Sequence, residues 1–168
     1  MRFMALLISI GFVLGDQTAA HAEPARIMPL GNSITESEGG HASYRYWLLH
    51  DHLDGAYAVD FVGSMIGVYG GQPLYPDFDQ DHEGHWGWRA DQILAQIGGW
   101  AAVHEPEIVL LHLGHNDLWQ GQSISSTITD LASIIDELRS VNATVQVLLA
   151  QVIPAIAGIG LDSIPEFN

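Results

Sequence analysis

Short apolar runs alternate along this chain with stretches in which apolar residues recur at helical spacing. Residues 26–30 (Arg-Ile-Met-Pro-Leu) read as a strand running into a tight turn, Gly31-Asn32-Ser33. Residues 43–53 have helical spacing, with Tyr46, Leu49 and Leu53 on one side, and residues 57–63 read as a second strand. Residues 64–87 form a long connection rich in Gly, Pro, Asp and His, of a length that usually serves function. A helix is expected over 89–103, with Ile93, Leu94, Ile97 and Trp100 turned inward. An unbroken apolar strand follows at 108–113, a second amphipathic helix at 124–141, and a further buried strand at 145–153. The order β-α-β-loop-α-β-α-β predicts a parallel sheet with helices on both faces. A fold of this kind normally adds another helix and edge strand after Pro154. The last strand and helix are therefore expected to be missing, leaving the domain at 26–168 incomplete at its C-terminus.

The first 22 residues break this rhythm. Arg2, the apolar run Phe3 to Gly15 and the small-x-small triplet Ala20-His21-Ala22 predict a secretory signal cleaved after Ala22, and hence a secreted or periplasmic protein. The run falls short of the roughly 20 residues a membrane span needs. There are no cysteines, which excludes disulfides, thiolate metal sites and thiol catalysis. Five arginines and no lysine face 20 Asp and Glu, a formal charge of −15. That balance argues against nucleic acid and anionic membranes as partners and is compatible with a neutral polymer.

Candidate chemistry gathers at the C-terminal ends of the expected strands, where open α/β sheets bind ligands. Gly31 permits backbone geometry closed to other residues, Asn32 tolerates it, and the pair can hold the Ser33 hydroxyl clear of the strand. A simpler reading has Asn32 and Ser33 cap the next helix. An ester hydrolase needs a hydroxyl nucleophile, a base and donors for the oxyanion. Ser33 offers a hydroxyl and an N–H, Gly87 an unobstructed N–H ahead of a helix, and Asn116 a side-chain amide. His82, His85, His112 and His115 form two H-x-x-H pairs. The reading preferred is structural, with His112 in the core, His115 in a loop, His82 and His85 organising theirs, and neither metal nor other cofactor. Tyr44, Trp86, Trp88 and Trp119 form either a sugar-stacking surface or, for Trp88 above all, part of the core. Asp117 reads as a turn or cap residue.

Four ordered blocks carry a family likeness: Arg-Ile-Met-Pro-Leu-Gly-Asn-Ser-Ile-Thr, Val-Asp-Phe-Val-Gly-Ser, Asp-His-Glu-Gly-His-x-Gly-Trp-Arg and Gly-x-Asn-Asp. Together they resemble the SGNH, or GDSL-type, hydrolases, and within them carbohydrate esterase family 3, chiefly acetylxylan esterases. The resemblance implies a flavodoxin-like three-layer α/β/α fold. It implies Ser33 as nucleophile, with the Ser33 and Gly87 N–H groups and the Asn116 amide as oxyanion hole. It also implies an acetylated plant-type polysaccharide as substrate, for which Trp86, Trp88 and Trp119, read above from residue type, are the candidate binding residues. Two positions depart from the family. Asn32 stands where Gly-Asp-Ser is usual, and the late Asp-x-x-His that supplies the base is absent, the last histidine being His115. His82, in Asp79-Gln80-Asp81-His82, is the remaining candidate for a substitute base. Without a base, hydrolysis is expected to be weak, and the alternative is a catalytically dead, carbohydrate-binding relic of the same fold.

Overall fold

The computed structural model describes residues 23–53, 56–153 and 167–168. The expected signal segment, and residues 154–166, lie outside them. The centre of the fold is β1 (Ala25–Gly31), flanked on one side by β5 (Ile108–His112) in parallel register from Ile27↔Ile108 to Gly31↔His112. Its other edge is shared. The first half pairs with β2 (Val59–Phe61) and the last two residues with β4 (Asp81–Gly84). Outside β4 lies a short antiparallel strand, β3 (Met65–Ile66), and outside β5 lies β6 (Gln146–Leu149).

Alternation along β1 and β5 sorts the two faces. Met28, Leu30, Val109 and Leu111 point to one side and are fully buried beneath α3 (Ala90–His104) and α5 (Ile124–Val141). Those helices contribute Ile93, Ile97, Leu131, Ile134 and Leu138. On the opposite side Leu110 and Leu148 look toward Ile34 of α1 (Ser33–Glu36) and Tyr44 of α2 (Tyr44–Trp47) across a cavity of about 380 Å³. The three-layer α/β/α arrangement follows. No helix among the described residues is long and apolar enough to cross a membrane.

The expected elements are found, with three differences. The helix anticipated over 43–53 is a single α-turn, α2, continued by a π-helical stretch, Leu48–Leu53. The buried strand anticipated over 145–153 is confined to β6, and it is largely exposed because β6 is the outermost of the described strands on that side of the sheet. The largest difference lies in the connection 64–87, which contains β3 and β4. Asp81-His82-Glu83-Gly84 has no apolar signature, yet His82 and Glu83 are almost wholly buried. Most of their polar atoms are met locally: His82 Nδ1 accepts from Gly84 N (2.9 Å), and the Glu83 carboxylate accepts from Ser64 N and Ser64 Oγ (both 2.7 Å), while His82 Nε2 is buried without a partner among the described residues. A buried strand need not be apolar when most of its polar groups are satisfied.

One buried cation joins these parts. Arg45 is 0% exposed, and its guanidinium donates to four backbone carbonyls: Thr35 (3.0 Å), Glu36 (3.1 Å), Gly67 (2.6 Å) and Gln80 (2.7 Å). Burial draws its pKa down to about 10, leaving it charged at neutral pH. It thereby ties the end of α1 to both limbs of the 64–80 loop. Replacing it leaves several carbonyls dry and unpaired, at about 1–3 kcal/mol each before relaxation. Arg45→Met is therefore expected to lower unfolding free energy in urea by at least about 3 kcal/mol. Arg45→Lys, which keeps the charge but not the fork of donors, should restore less than half of that. A loss below about 1 kcal/mol for Arg45→Met would show that this contact is not structural.

Candidate active site

The site is built where β4, β1 and β5 end side by side. Gly31 pairs with Gly84 on one flank and His112 on the other. Neighbouring strands lie about 4.8 Å apart, so three chain segments leave the sheet within about 10 Å of one another. Ser33 leaves β1 as the first residue of α1. Gly87 follows β4, and Asn116 follows β5 in α4 (His115–Trp119).

Asn32 is the N-cap of α1, its Oδ1 accepting from Ile34 N at 3.0 Å. Its φ of −115° is not left-handed, and Gly31 is not among the residues with positive φ. Neither residue therefore uses the left-handed geometry expected of the pair. Gly31 is required for space, because a Cβ there would lie 2.8 Å from His112 O and closer still to Thr35 Oγ1. The Ser33 hydroxyl makes no hydrogen bond among the described residues, and Ser33, like its neighbour Ile34, is partly buried.

Gly87 needs its conformational freedom. It stands third in the turn His85-Trp86-Gly87-Trp88, closed by Trp88 N donating to His85 O (3.2 Å), with φ +79° as a type II turn demands. The turn is held from several sides. His85 N donates to Gly31 O (3.0 Å), and the His85 ring stacks on the indoles of both Trp88 and Trp100, at 4.5 and 4.6 Å, while Nε2 meets Glu83 at 2.6 Å. Gln120 Nε2 donates to Gly87 O (3.1 Å). Asn116 Nδ2 donates to Trp88 O (2.8 Å), which uses one of its two N–H bonds and leaves a second. The residues around Gly87 and Asn116 are therefore one hydrogen-bonded unit.

Asp117 caps in trans. It is fully buried, and its Oδ1 accepts from Ala90 N, the first donor of α3, at 2.9 Å. Burial pushes its carboxyl above the usual range, partly opposed by that hydrogen bond. Trp88 packs against the core, whereas Trp86 (42% exposed) and Trp119 (65% exposed) face solvent. Trp86 is stacked on Tyr69, ring centroids 4.5 Å apart. Sequence reasoning named neither Tyr69 as its partner nor Gln120 as an anchor. Neither residue type carries a pattern that marks such a role.

The histidines are placed as follows. His82 is 1% exposed with Nδ1 occupied by Gly84 N, and burial, then Arg45 and His85, lower its pKa to about 3. So weak a base, with its free lone pair already taken, does not fit the part of substitute base. His85 is an organiser of the turn. His112 is buried at the end of β5, with burial and then His115 lowering its pKa. His115 opens α4 instead of lying in a loop, and its Nε2 meets Ile153 O at 2.8 Å. Among the described residues no three His, Asp or Glu side chains gather as a metal site would require.

Two outcomes test this reading. Asp117→Ala strands a buried N–H and should cost about 1–3 kcal/mol of stability in chemical denaturation, while Asp117→Asn keeps an acceptor and should cost clearly less. Equal losses would remove the capping role. The unfolded chain takes up a proton on His82 near pH 6.5 and the folded chain only near 3. Between those values the unfolded state binds more protons, so this contribution is intact above 6.5 and fades as pH falls toward 3. Thermal unfolding across that range should show a shallower acid loss for His82→Asn than for the parent chain; parallel curves would contradict it.

Comparison with known proteins bears on the same residues. Residues 30–163 match the model of the GDSL-like lipase/acylhydrolase family. A carbohydrate esterase family 3 structure from Talaromyces cellulolyticus is 33% identical, with a TM-score of 0.66, covering 85% of this chain and 72% of that one. A family 3 carbohydrate esterase from Clostridium thermocellum is 34% identical, with a TM-score of 0.68, covering 86% of this chain and 71% of that one. A multidomain esterase of Ruminococcus flavefaciens is 29% identical over 159 residues, spanning 81% of this chain but only 20% of that protein's length. On the family match and the two structures, this chain belongs to the GDSL-like lipase/acylhydrolase family, with carbohydrate esterases of family 3 among its relatives.

Proposed function

We propose that this chain is a serine ester hydrolase acting on acetyl groups of a neutral, plant-type polysaccharide such as acetylxylan, and that it is exported after cleavage behind Ala22. The observation that carries the chemistry is the meeting of three loops at one sheet edge. In this reading the Ser33 Oγ adds to the acetyl carbonyl, forming a C–O bond as the hydroxyl proton passes to a base. The Ser33 N–H, the Gly87 N–H and the spare Asn116 N–H receive the charge that develops on oxygen. Donors already fixed by Gln120, Trp88 O and the type II turn need no reorganisation as that charge appears. The tetrahedral species then expels the sugar alkoxide, which takes the proton, and water releases acetate from Ser33. The exposed Trp86 and Trp119 and the strongly negative charge suit a neutral sugar polymer and disfavour nucleic acid, anionic membranes and polyanionic substrates. No cofactor is required.

The base is the weak point of this chemistry. No histidine follows His115, and none of the placed histidines is hydrogen-bonded to Ser33 among the described residues. A serine without its base retains only the part of catalysis that the oxyanion donors and binding supply, about 10³–10⁴-fold over water. A second reading, a carbohydrate-binding relic that no longer hydrolyses, is favoured by the lack of a histidine on Ser33 among the described residues.

Added imidazole can stand in for an absent histidine and so separates the two. Acetate release from acetylated xylan or an aryl acetate is expected to be slow, to rise with imidazole beyond the buffer reaction, and to lose that increment at least about 100-fold in Ser33→Ala. An increment unchanged in Ser33→Ala excludes Ser33 as nucleophile. Binding of xylo-oligosaccharides with no such increment favours the relic.

A further inference from the structure

Between α2 and the loop 64–80 lies a second group of rings that the proposed chemistry does not use. Tyr46 and Tyr75 are stacked with centroids 4.6 Å apart and an interplanar angle of 24°. Trp47 stands edge-on to both, at 4.9 and 5.6 Å, and Phe78 closes the group at 5.8 Å from Tyr46. A cluster that served only to pack the loop would draw its largest ring inward. Here Trp47 is 44% exposed and Tyr75 37% exposed. Their surroundings are polar: His50 Nε2 contacts Asp77 O at 3.3 Å, and Asp51 and Asp77 lie near Tyr46, whose pKa burial and then Asp77, Tyr75 and Asp51 raise.

The loop that carries Tyr75 is held by backbone hydrogen bonds. The loop is laced to the segment after α1 by Tyr69 N→Ser37 O (3.0 Å), Gly39 N→Tyr69 O (2.9 Å), Gly40 N→Gln72 O (2.9 Å) and Leu74 N→His41 O (3.3 Å). The loop also carries the ring that stacks on Trp86, next to Gly87. Tyr69 and Tyr75 are six residues apart, which bounds their separation at about 20 Å.

We infer that the Tyr46–Trp47–Tyr75 cluster is a second glycan-binding station, holding a sugar ring of the same chain whose ester lies at Ser33. The inference rests on the polysaccharide reading above. Flat rings half in water take the C–H faces of a pyranose, and the carboxylates of Asp51 and Asp77 accept its hydroxyls. The same carboxylates, in a chain of charge −15, turn away anionic ligands and an apolar protein face alike. The loop and α2 together then present two aromatic contacts to one polymer, so affinity grows with chain length without any change at the catalytic edge.

Calorimetric titration of the full chain with acetylated xylo-oligosaccharides tests this. In the parent chain, affinity is expected to rise about tenfold from the disaccharide to the hexasaccharide. In Trp47→Ala, and independently in Tyr75→Asn, the short oligosaccharide should bind as before while the gain with length disappears; matched melting temperatures exclude a general loss of fold. A length gain that survives in both variants, or its absence from the parent chain while the disaccharide binds, overturns the station and leaves the polysaccharide reading standing. Failure of the parent chain to bind any member of the series removes both.

Discussion

A guanidinium held out of water organises the functional half of this fold. Arg45 spends its donors on four carbonyls drawn from three segments, and two of those carbonyls, Thr35 and Glu36, belong to the helix that Ser33 begins. A short helix of four residues has little stability of its own. Its N-terminus is fixed by Asn32 and its C-terminus by Arg45, so the serine is placed by two side-chain contacts instead of by helix propensity. The same cation pins Gly67 and Gln80, and therefore sets where the long loop enters β4. Displacing it would disturb the helix that carries Ser33 and the strand that leads into the Gly87 turn together.

The second constraint is the register of three neighbouring strands. Because Gly84, Gly31 and His112 share one level of the sheet, whatever follows them must meet. The chain exploits this with backbone as much as with side chains. Gly87 offers an N–H from a turn whose carbonyl side is tied to Gln120, and Asn116 reaches Trp88 O across the same gap. Asp117 then uses the residue next door to cap α3, so the loop after β5 supports the helix that follows β4. Site and scaffold are the same set of hydrogen bonds.

How much of this could be read in advance depended on whether a residue acts through its type or through its neighbours. The apolar rhythm of β1, β5, α3 and α5 is a property of the residues themselves, and those elements lie where that rhythm places them. Ser33, Gly87 and Asn116 could be placed at neighbouring strand ends because a hydroxyl and two kinds of N–H donor follow apolar strands or precede helices in a specific order. β4 was not, since Asp-His-Glu-Gly becomes a buried strand only once Ser64, His85 and Gly84 are in place to satisfy it. Arg45 gave no signal either; a single arginine in a helical stretch looks like a solvated face. Gly31 was recognised for the wrong reason. The close approach of Thr35 and His112, a tertiary fact, demands glycine there, not the sign of its φ.

The account stands on a single carbonyl-sized space shared by a hydroxyl and N–H donors from separate loops. A crystal structure of the full chain soaked with acetate measures that space directly. The account predicts one carboxylate oxygen within about 3 Å of Ser33 N, Gly87 N and Asn116 Nδ2, with the Ser33 hydroxyl against the carboxylate carbon. Acetate bound elsewhere, with Ser33 Oγ more than about 10 Å from the Gly87 nitrogen or the Asn116 amide, would contradict it.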